Sequence, residues 1–375
     1  MFKALREFHI GRPQIFAGLL LFLFAAQCVW VSAGRRFSDL EYEYMASGNR
    51  AIPGQEFRIT SPMTAVVAAA PLRIAAAIRG VAPASVKSAL AIPPIWWVRL
   101  PFVIFGVWLG GALWWVARRL YGNEGGYVAL ALYCCSPAMI KISSNIGPEI
   151  ILAWSGFGLI YTAIGVAHTL YAPPRKWAPR IVLLGIAMGL CMATMFWAGT
   201  LVLLALAFML YLTPGCRDRV VIVMGGASLI TVAVLIFFRW LTGSFGLGSA
   251  ALFSPWPTLE LVRGLFFVFS DDYFLPVIFA AALAVYVLWP RARYFGNTAP
   301  LLAGFAVVAL FALVPGIYLW RATLGLSFCF VFVGGVVADA LETPARQRLG
   351  WGLTAALLIK STFSLIFLIA WTHQN

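Results

Sequence analysis

The chain has 375 residues, 62% of them hydrophobic and only 11% charged, and a formal net charge of +14. An ordinary soluble domain carries about 25% charge, so this composition excludes a soluble globular protein and fits one whose surface faces lipid. The basic excess is no nucleic-acid signal, because the Lys and Arg residues come in pairs at the ends of apolar runs, where the positive-inside bias puts them.

Apolar runs of about 17 to 25 residues predict spanning helices. In chain order they lie at 14–33, 95–117, 126–142 and 149–170. A continuous block over 181–213 is too long for one helix and is expected to divide near Trp197-Ala198-Gly199. Further runs at 219–239, 273–289, 299–317, 322–340 and 350–371 bring the expected total to eleven helices in one all-α membrane domain over 1–375. Lys3, Arg6 and Arg12 precede the first run, and Val31-Ser32-Ala33 resembles a signal-peptidase site. That run is longer than a usual signal core, so a retained helix is expected. The six cysteines, at 28, 134, 135, 191, 216 and 329, have neither metal-ligand nor disulfide spacing and read as small packing residues.

The short loops set an expected orientation. With the N-terminus in the cytoplasm, Arg118-Arg119, Arg175-Lys176 with Arg180, Arg217 with Arg219, Arg291 with Arg293, and Arg346 with Arg348 all fall in cytoplasmic loops. The stretch 63–82 is apolar but holds Arg73, Arg79 and Pro71. An arginine in mid-membrane costs about 2.5–3.5 kcal/mol, and a crossing here would invert every later loop. It is therefore expected to lie along the outer interface as a helix opened by Ser61 as N-cap and Pro62 at the first position. Residues 34–94 and 240–272 then form two long extracytoplasmic loops. Eight of the thirteen carboxylates fall on that side of the membrane.

The first loop opens with Asp39, Glu41 and Glu43 within five residues, just past a membrane helix. A carboxylate at such a boundary can act as a general base or hold a divalent metal; a solvated polar loop explains it equally simply. Glu149 begins the fourth span after the turn Ser143-Ser144-Asn145-Ile146-Gly147-Pro148, and Asp271-Asp272 precede the eighth span in the same way. The helix dipole alone also accounts for acids at such positions. Arg321, between the ninth and tenth spans, either binds a lipid phosphate or snorkels to the headgroups. No phosphate-binding glycine loop, dinucleotide fingerprint, zinc-protease motif or nucleophile elbow is present.

Val98-Arg99-Leu100-Pro101-Phe102-Val103-Ile104-Phe105-Gly106, then Ala117-Arg118-Arg119-Leu120-Tyr121-Gly122, then Tyr127 to Tyr133 and Ser136-Pro137, occur in a recognisable order. Together they resemble the C-type (GT-C) glycosyltransferases, the polytopic superfamily of protein O-mannosyltransferases and aminoarabinose-to-lipid-A transferases. The likeness is strongest over 14–215. It implies transfer of a sugar from a polyprenyl-phosphate donor to a lipid, glycan or protein acceptor at the outer face. In that family a first-loop Asp-Glu pair resembles the cluster Asp39 to Glu43, and the acid after the Ser-Pro helix falls on Glu149. The resemblance implies Asp39, Glu41 and Glu149 as catalytic acids, with Glu43, Arg58, Arg321, Asp271 and Asp272 binding substrate. It also implies that basic side chains hold the leaving phosphate. The pattern departs in places. If Tyr44-Met45-Ala46-Ser47-Gly48 is matched to the family's His-x-x-x-Gly, the family aspartate falls on Leu40, and Asp39 or Glu41 must substitute. Ser61-Pro62-Met63 stands for a His-Pro-Pro turn, and a lysine of the fifth span is missing around Thr194-Met195-Phe196. These departures leave room for an inactive relative that binds lipid or a partner. A transporter tends to show internal repeats and ionisable groups at the midplane; no repeat is seen, and the acids lie near one boundary instead.

Overall fold

The computed structural model describes residues 13–49, 61–80, 95–173, 177–243, 274–288, 300–307, 320–342 and scattered positions between 348 and 370. Among these residues every regular element is a helix, as the long uninterrupted apolar runs predict. Helix α1 is Pro13–Gly34, α2 Asp39–Asn49 and α3 Pro62–Arg79. Helix α4 is Ile95–Cys134, α5 Pro137–Ser143 and α6 Pro148–Thr169. Then come α7 (Ala178–Thr194), α8 (Gly199–Leu212), α9 (Arg217–Thr242), α10 (Phe274–Leu288) and α11 (Trp320–Glu342).

Among the described residues, five helices are long and apolar enough to cross a membrane: Pro13–Gly34, Trp96–Cys134, Pro148–Thr169, Arg217–Thr242 and Leu324–Glu342. Their packing is that of a protein dissolved in lipid. Large apolar side chains such as Phe22 and Trp30 of α1, or Leu229 and Trp240 of α9, are exposed. The faces turned inward instead include small and polar residues, among them Cys28, Ser32 and Thr231. Lipid offers apolar surface as good a solvent as the interior does, so close backbone approach and internal hydrogen bonds hold such helices together.

Helix α4 shows both devices. As one straight rod its 40 residues would be about 60 Å long, twice the thickness of a bilayer core. It turns back at Gly122, whose φ of 82° and ψ of −173° only glycine adopts readily. The two arms then run antiparallel. The Tyr133 hydroxyl donates to the Gly106 carbonyl at 2.6 Å, and Gly126 lies so close to Arg118 that an added Cβ would stand 3.0 Å from the Arg118 Cβ.

The expected span 126–142 is corrected here. The helix stops at Cys134, and a separate short helix starts at Pro137. Pro137 has no N–H and forces Ser136 into extended backbone (φ −86°, ψ 117°), which ends the preceding helix. The block 181–213 does divide where expected. Met195 is extended, Phe196–Ala198 make one 3-10 turn, and α8 begins at Gly199.

Helix α3 starts at Pro62 as foreseen, although the Ser61 hydroxyl makes no cap bond; it donates to Thr64 Oγ1 at 2.6 Å. Its first half is buried and its second half largely exposed. The Thr194 hydroxyl, 3.3 Å from the Met63 sulfur, fastens this helix to the end of α7. At the opposite end of the bundle the Tyr127 hydroxyl donates to the Pro13 carbonyl, and Arg219 donates to the Leu170 carbonyl while lying over the Trp177 ring. Gly34, Arg99, Ser144, Glu149 and Thr194 thus share one end, with Pro13, Gly122, Leu170 and Arg219 at the other. Of the expected span 350–371 only scattered residues are described.

Candidate active site

The site assembles where the first loop meets the turn between α5 and α6. Helix α2 begins with Ser38-Asp39-Leu40-Glu41, a capping box. The Glu41 N–H donates to Ser38 Oγ at 3.3 Å, and the Ser38 N–H donates to Glu41 Oε2 at 2.8 Å. Glu41 does more than cap. Its Oε1 accepts from Arg99 Nε at 3.0 Å and from the Ile146 N–H at 2.9 Å, while its Oε2 accepts from Arg99 Nη2 at 2.8 Å. Each carboxylate oxygen therefore has two donors, which fills its lone-pair positions.

Arg99, one turn into α4, is fully buried, and all five of its N–H groups are used. Besides the two bonds to Glu41, Nη1 donates to the Ser32 carbonyl at 2.8 Å and the Arg35 carbonyl at 2.9 Å. Nη2 donates to the Arg36 carbonyl at 2.9 Å, and the Phe37 ring covers the guanidinium at 4.8 Å. These carbonyls lie in and just past the last turn of α1, where the helix dipole favours a cation. A desolvated ion pair persists only with such complete hydrogen bonding.

Arg35 reaches from the same chain segment to Asn145 Oδ1 at 2.8 Å. Burial, and then the Arg99 guanidinium, push Arg35 below its ordinary pKa, and Glu41 acts the other way. Ser32 Oγ donates to the Ser144 carbonyl at 3.3 Å. Between them, Glu41, Arg35 and Ser32 tie the first loop and α1 to the turn Ser144-Asn145-Ile146. Three residues after Ile146, Glu149 stands partly exposed in the first turn of α6, close enough to Glu41 for the two charges to interact.

The eight anticipated site residues are distributed unevenly. Asp39 and Glu43 are both exposed and, four apart, share one face of α2 opposite the buried Glu41. Glu41 holds the Ile146 N–H, and Glu149 follows three residues later in the first turn of α6. Arg321 is the second residue of α11, a helix that begins at this same end, since Leu324 packs beside Gly156 and Phe328 stacks on Tyr161. The Arg321 side chain, Arg58, Asp271 and Asp272 lie outside the described residues. Among the described residues no three His, Cys, Asp or Glu side chains converge where one metal ion would sit. Arg99, Arg35 and Gly147 were not anticipated as site residues. A signal for Arg99 existed: it is an ionisable residue inside an apolar run, which marks a functional position by default.

The family model for dolichyl-phosphate-mannose-protein mannosyltransferase matches residues 84–241. Among solved structures, apo ArnT from Cupriavidus metallidurans is similar, with a TM-score of 0.59 at 15% identity, over 91% of this chain and 62% of that one. ArnT bound to undecaprenyl phosphate gives 0.55 at 15% identity, over 90% and 61%. The Archaeoglobus fulgidus oligosaccharyltransferase tethered with an acceptor peptide gives 0.56 at 13% identity, over 95% and 55%. The fold is that of ArnT and of the archaeal oligosaccharyltransferase. No curated protein matches the chain in sequence. The chain spans under two thirds of the length of each of these solved structures. The match over 84–241 runs from α4 to α9 and so contains Arg99, the Ser136-Pro137 break and Glu149.

Proposed function

We propose that the chain is an integral-membrane glycosyltransferase that takes a sugar from a polyprenyl-phosphate donor and passes it to a lipid, glycan or protein acceptor at the extracytoplasmic face. The observation that carries this reading is the Glu41 carboxylate bridging Arg99 and the Ile146 N–H. That bridge draws the acid-rich first loop onto the turn that presents Glu149, at one end of a membrane-embedded bundle. The likeness to ArnT, a structure of which is bound to undecaprenyl phosphate, supports a donor of that class.

The roles divide by what each side chain has left to offer. Glu41, with its lone pairs occupied, is a positioning residue that fixes α2. Asp39, exposed on the first turn of α2, is the general base for the acceptor hydroxyl, with Glu149 as the second acid of the site. The acceptor oxygen forms a bond to the anomeric carbon as its proton passes to the carboxylate. The bond from that carbon to the phosphate oxygen breaks with inversion, and the electron pair leaves on polyprenyl phosphate. Arg35, Arg58 and Arg321 offset the charge that develops on the leaving phosphate. Glu43, Asp271 and Asp272 contact the acceptor or the sugar.

The test uses the full chain in lipid vesicles with undecaprenyl-phosphate-linked hexoses and pentoses, and reads release of undecaprenyl phosphate by mass spectrometry. Asp39→Asn and Glu149→Gln should each lower release from the preferred donor by about 100-fold or more, the scale of general acid–base catalysis, without changing expression. Full release by Asp39→Asn would remove it as the base. Binding of undecaprenyl phosphate with no release from any donor would favour an inactive lipid-binding relative. Uptake of intact sugar would favour a transporter.

A further inference from the structure

Gly147 is the residue between the Ile146 N–H, which Glu41 holds, and the Pro148 that opens α6. Its backbone does not explain why it is glycine. With φ −163° and ψ 162° it is fully extended, a conformation open to any residue and the one that a following proline favours. The space around it gives a reason. The three atoms nearest to where a Cβ would stand all belong to the Glu149 carboxylate. Oε2 would overlap it, Cδ would lie 2.9 Å away and Oε1 3.3 Å away. The Glu149 side chain therefore folds back over Gly147, occupying the volume that a side chain there would take.

We propose that Gly147 is a positioning residue for Glu149: by lacking a Cβ it lets the carboxylate lie back against the turn that Glu41 and Arg35 hold. Any side chain at 147 pushes the carboxylate outward, away from the first loop. The functional half of this inference rests on the transferase reading above; the geometric half does not.

Two measurements separate them. The first is labelling of Glu149 by a carbodiimide, read by peptide mass spectrometry on the full chain in lipid, with Glu149→Gln as the unlabelled control. Gly147→Ala should raise the labelling rate at least threefold, and an unchanged rate would overturn the geometric claim. The second is release of undecaprenyl phosphate from the donor that the wild-type chain uses. Gly147→Ala should lower release at least tenfold at an unchanged thermal midpoint. In the Glu149→Asp background, whose shorter side chain does not reach over residue 147, the same substitution should have little further effect. An equal loss in both backgrounds, or none in either, would show that Gly147 does not act through Glu149. If Glu149→Gln retains full release, the catalytic reading of Glu149 fails instead, while the labelling result stands by itself.

Discussion

Arg99 carries a full charge inside a run of apolar residues, and one carboxylate with three backbone carbonyls makes that position tolerable. Removing one member of such a pair leaves the other buried and uncompensated, at a cost of about 3–5 kcal/mol. Arg99→Met should therefore lower stability by about that amount in reversible unfolding in detergent. Arg99→Lys should recover only a small part, because an ammonium has three donors at one point and cannot span the five bonds that the guanidinium makes. Wild-type stability for Arg99→Met would mean that the clamp does not hold the first loop. Glu41 belongs to the same unit. Its sequence position beside Asp39 and Glu43 made it a candidate acid; its four hydrogen bonds are the ground for the positioning role proposed above.

At the scale of elements, two glycines decide how helices meet. Helix α2 crosses α3 so closely that a Cβ on Gly48 would overlap the Ala65 carbonyl oxygen and lie 2.8 Å from the Ala69 Cβ. Arg73 then donates across the same crossing to the Gly48 carbonyl. Gly48→Val should force α2 off α3. The expected readouts are faster proteolysis within the first loop and loss of sugar transfer, with the rest of the bundle intact; a loop as resistant as wild type would show that the crossing adapts. Gly122 sets the other junction. Its φ of 82° lies where a side chain costs about 1–3 kcal/mol, so Gly122→Ala should lower the thermal midpoint although nothing lies within 4 Å of the added methyl.

For the whole molecule, the grouping of helix ends turns the arrangement of basic residues into a statement about sides. Glu43 lies at the first-loop end and Arg119 at the opposite end, beside the Gly122 turn, and both are exposed. With the N-terminus cytoplasmic, Glu43→Cys should react with a membrane-impermeant maleimide on intact cells. Arg119→Cys should react only after the membrane is opened. The reverse pattern would place the candidate site in the cytoplasm and remove the extracytoplasmic reaction.

The amino-acid sequence by itself determined that the chain is an all-helical membrane protein, because long apolar runs have only one way to satisfy their backbone in lipid. It also marked the break near Trp197-Ala198-Gly199, the start of α3 at Pro62 and the acid-rich first loop, since proline, glycine and charge act on their immediate neighbours. The stop at Cys134 was equally local, a consequence of Ser136-Pro137, and hydropathy alone concealed it because the residues beyond are as apolar as those before. Only the tertiary structure decided what Glu41 meets. Glu41 finds Arg99 58 residues away and the Ile146 N–H 105 residues away. Pairings over such separations depend on how helices pack, and one-dimensional patterns of charge and hydropathy do not encode that geometry.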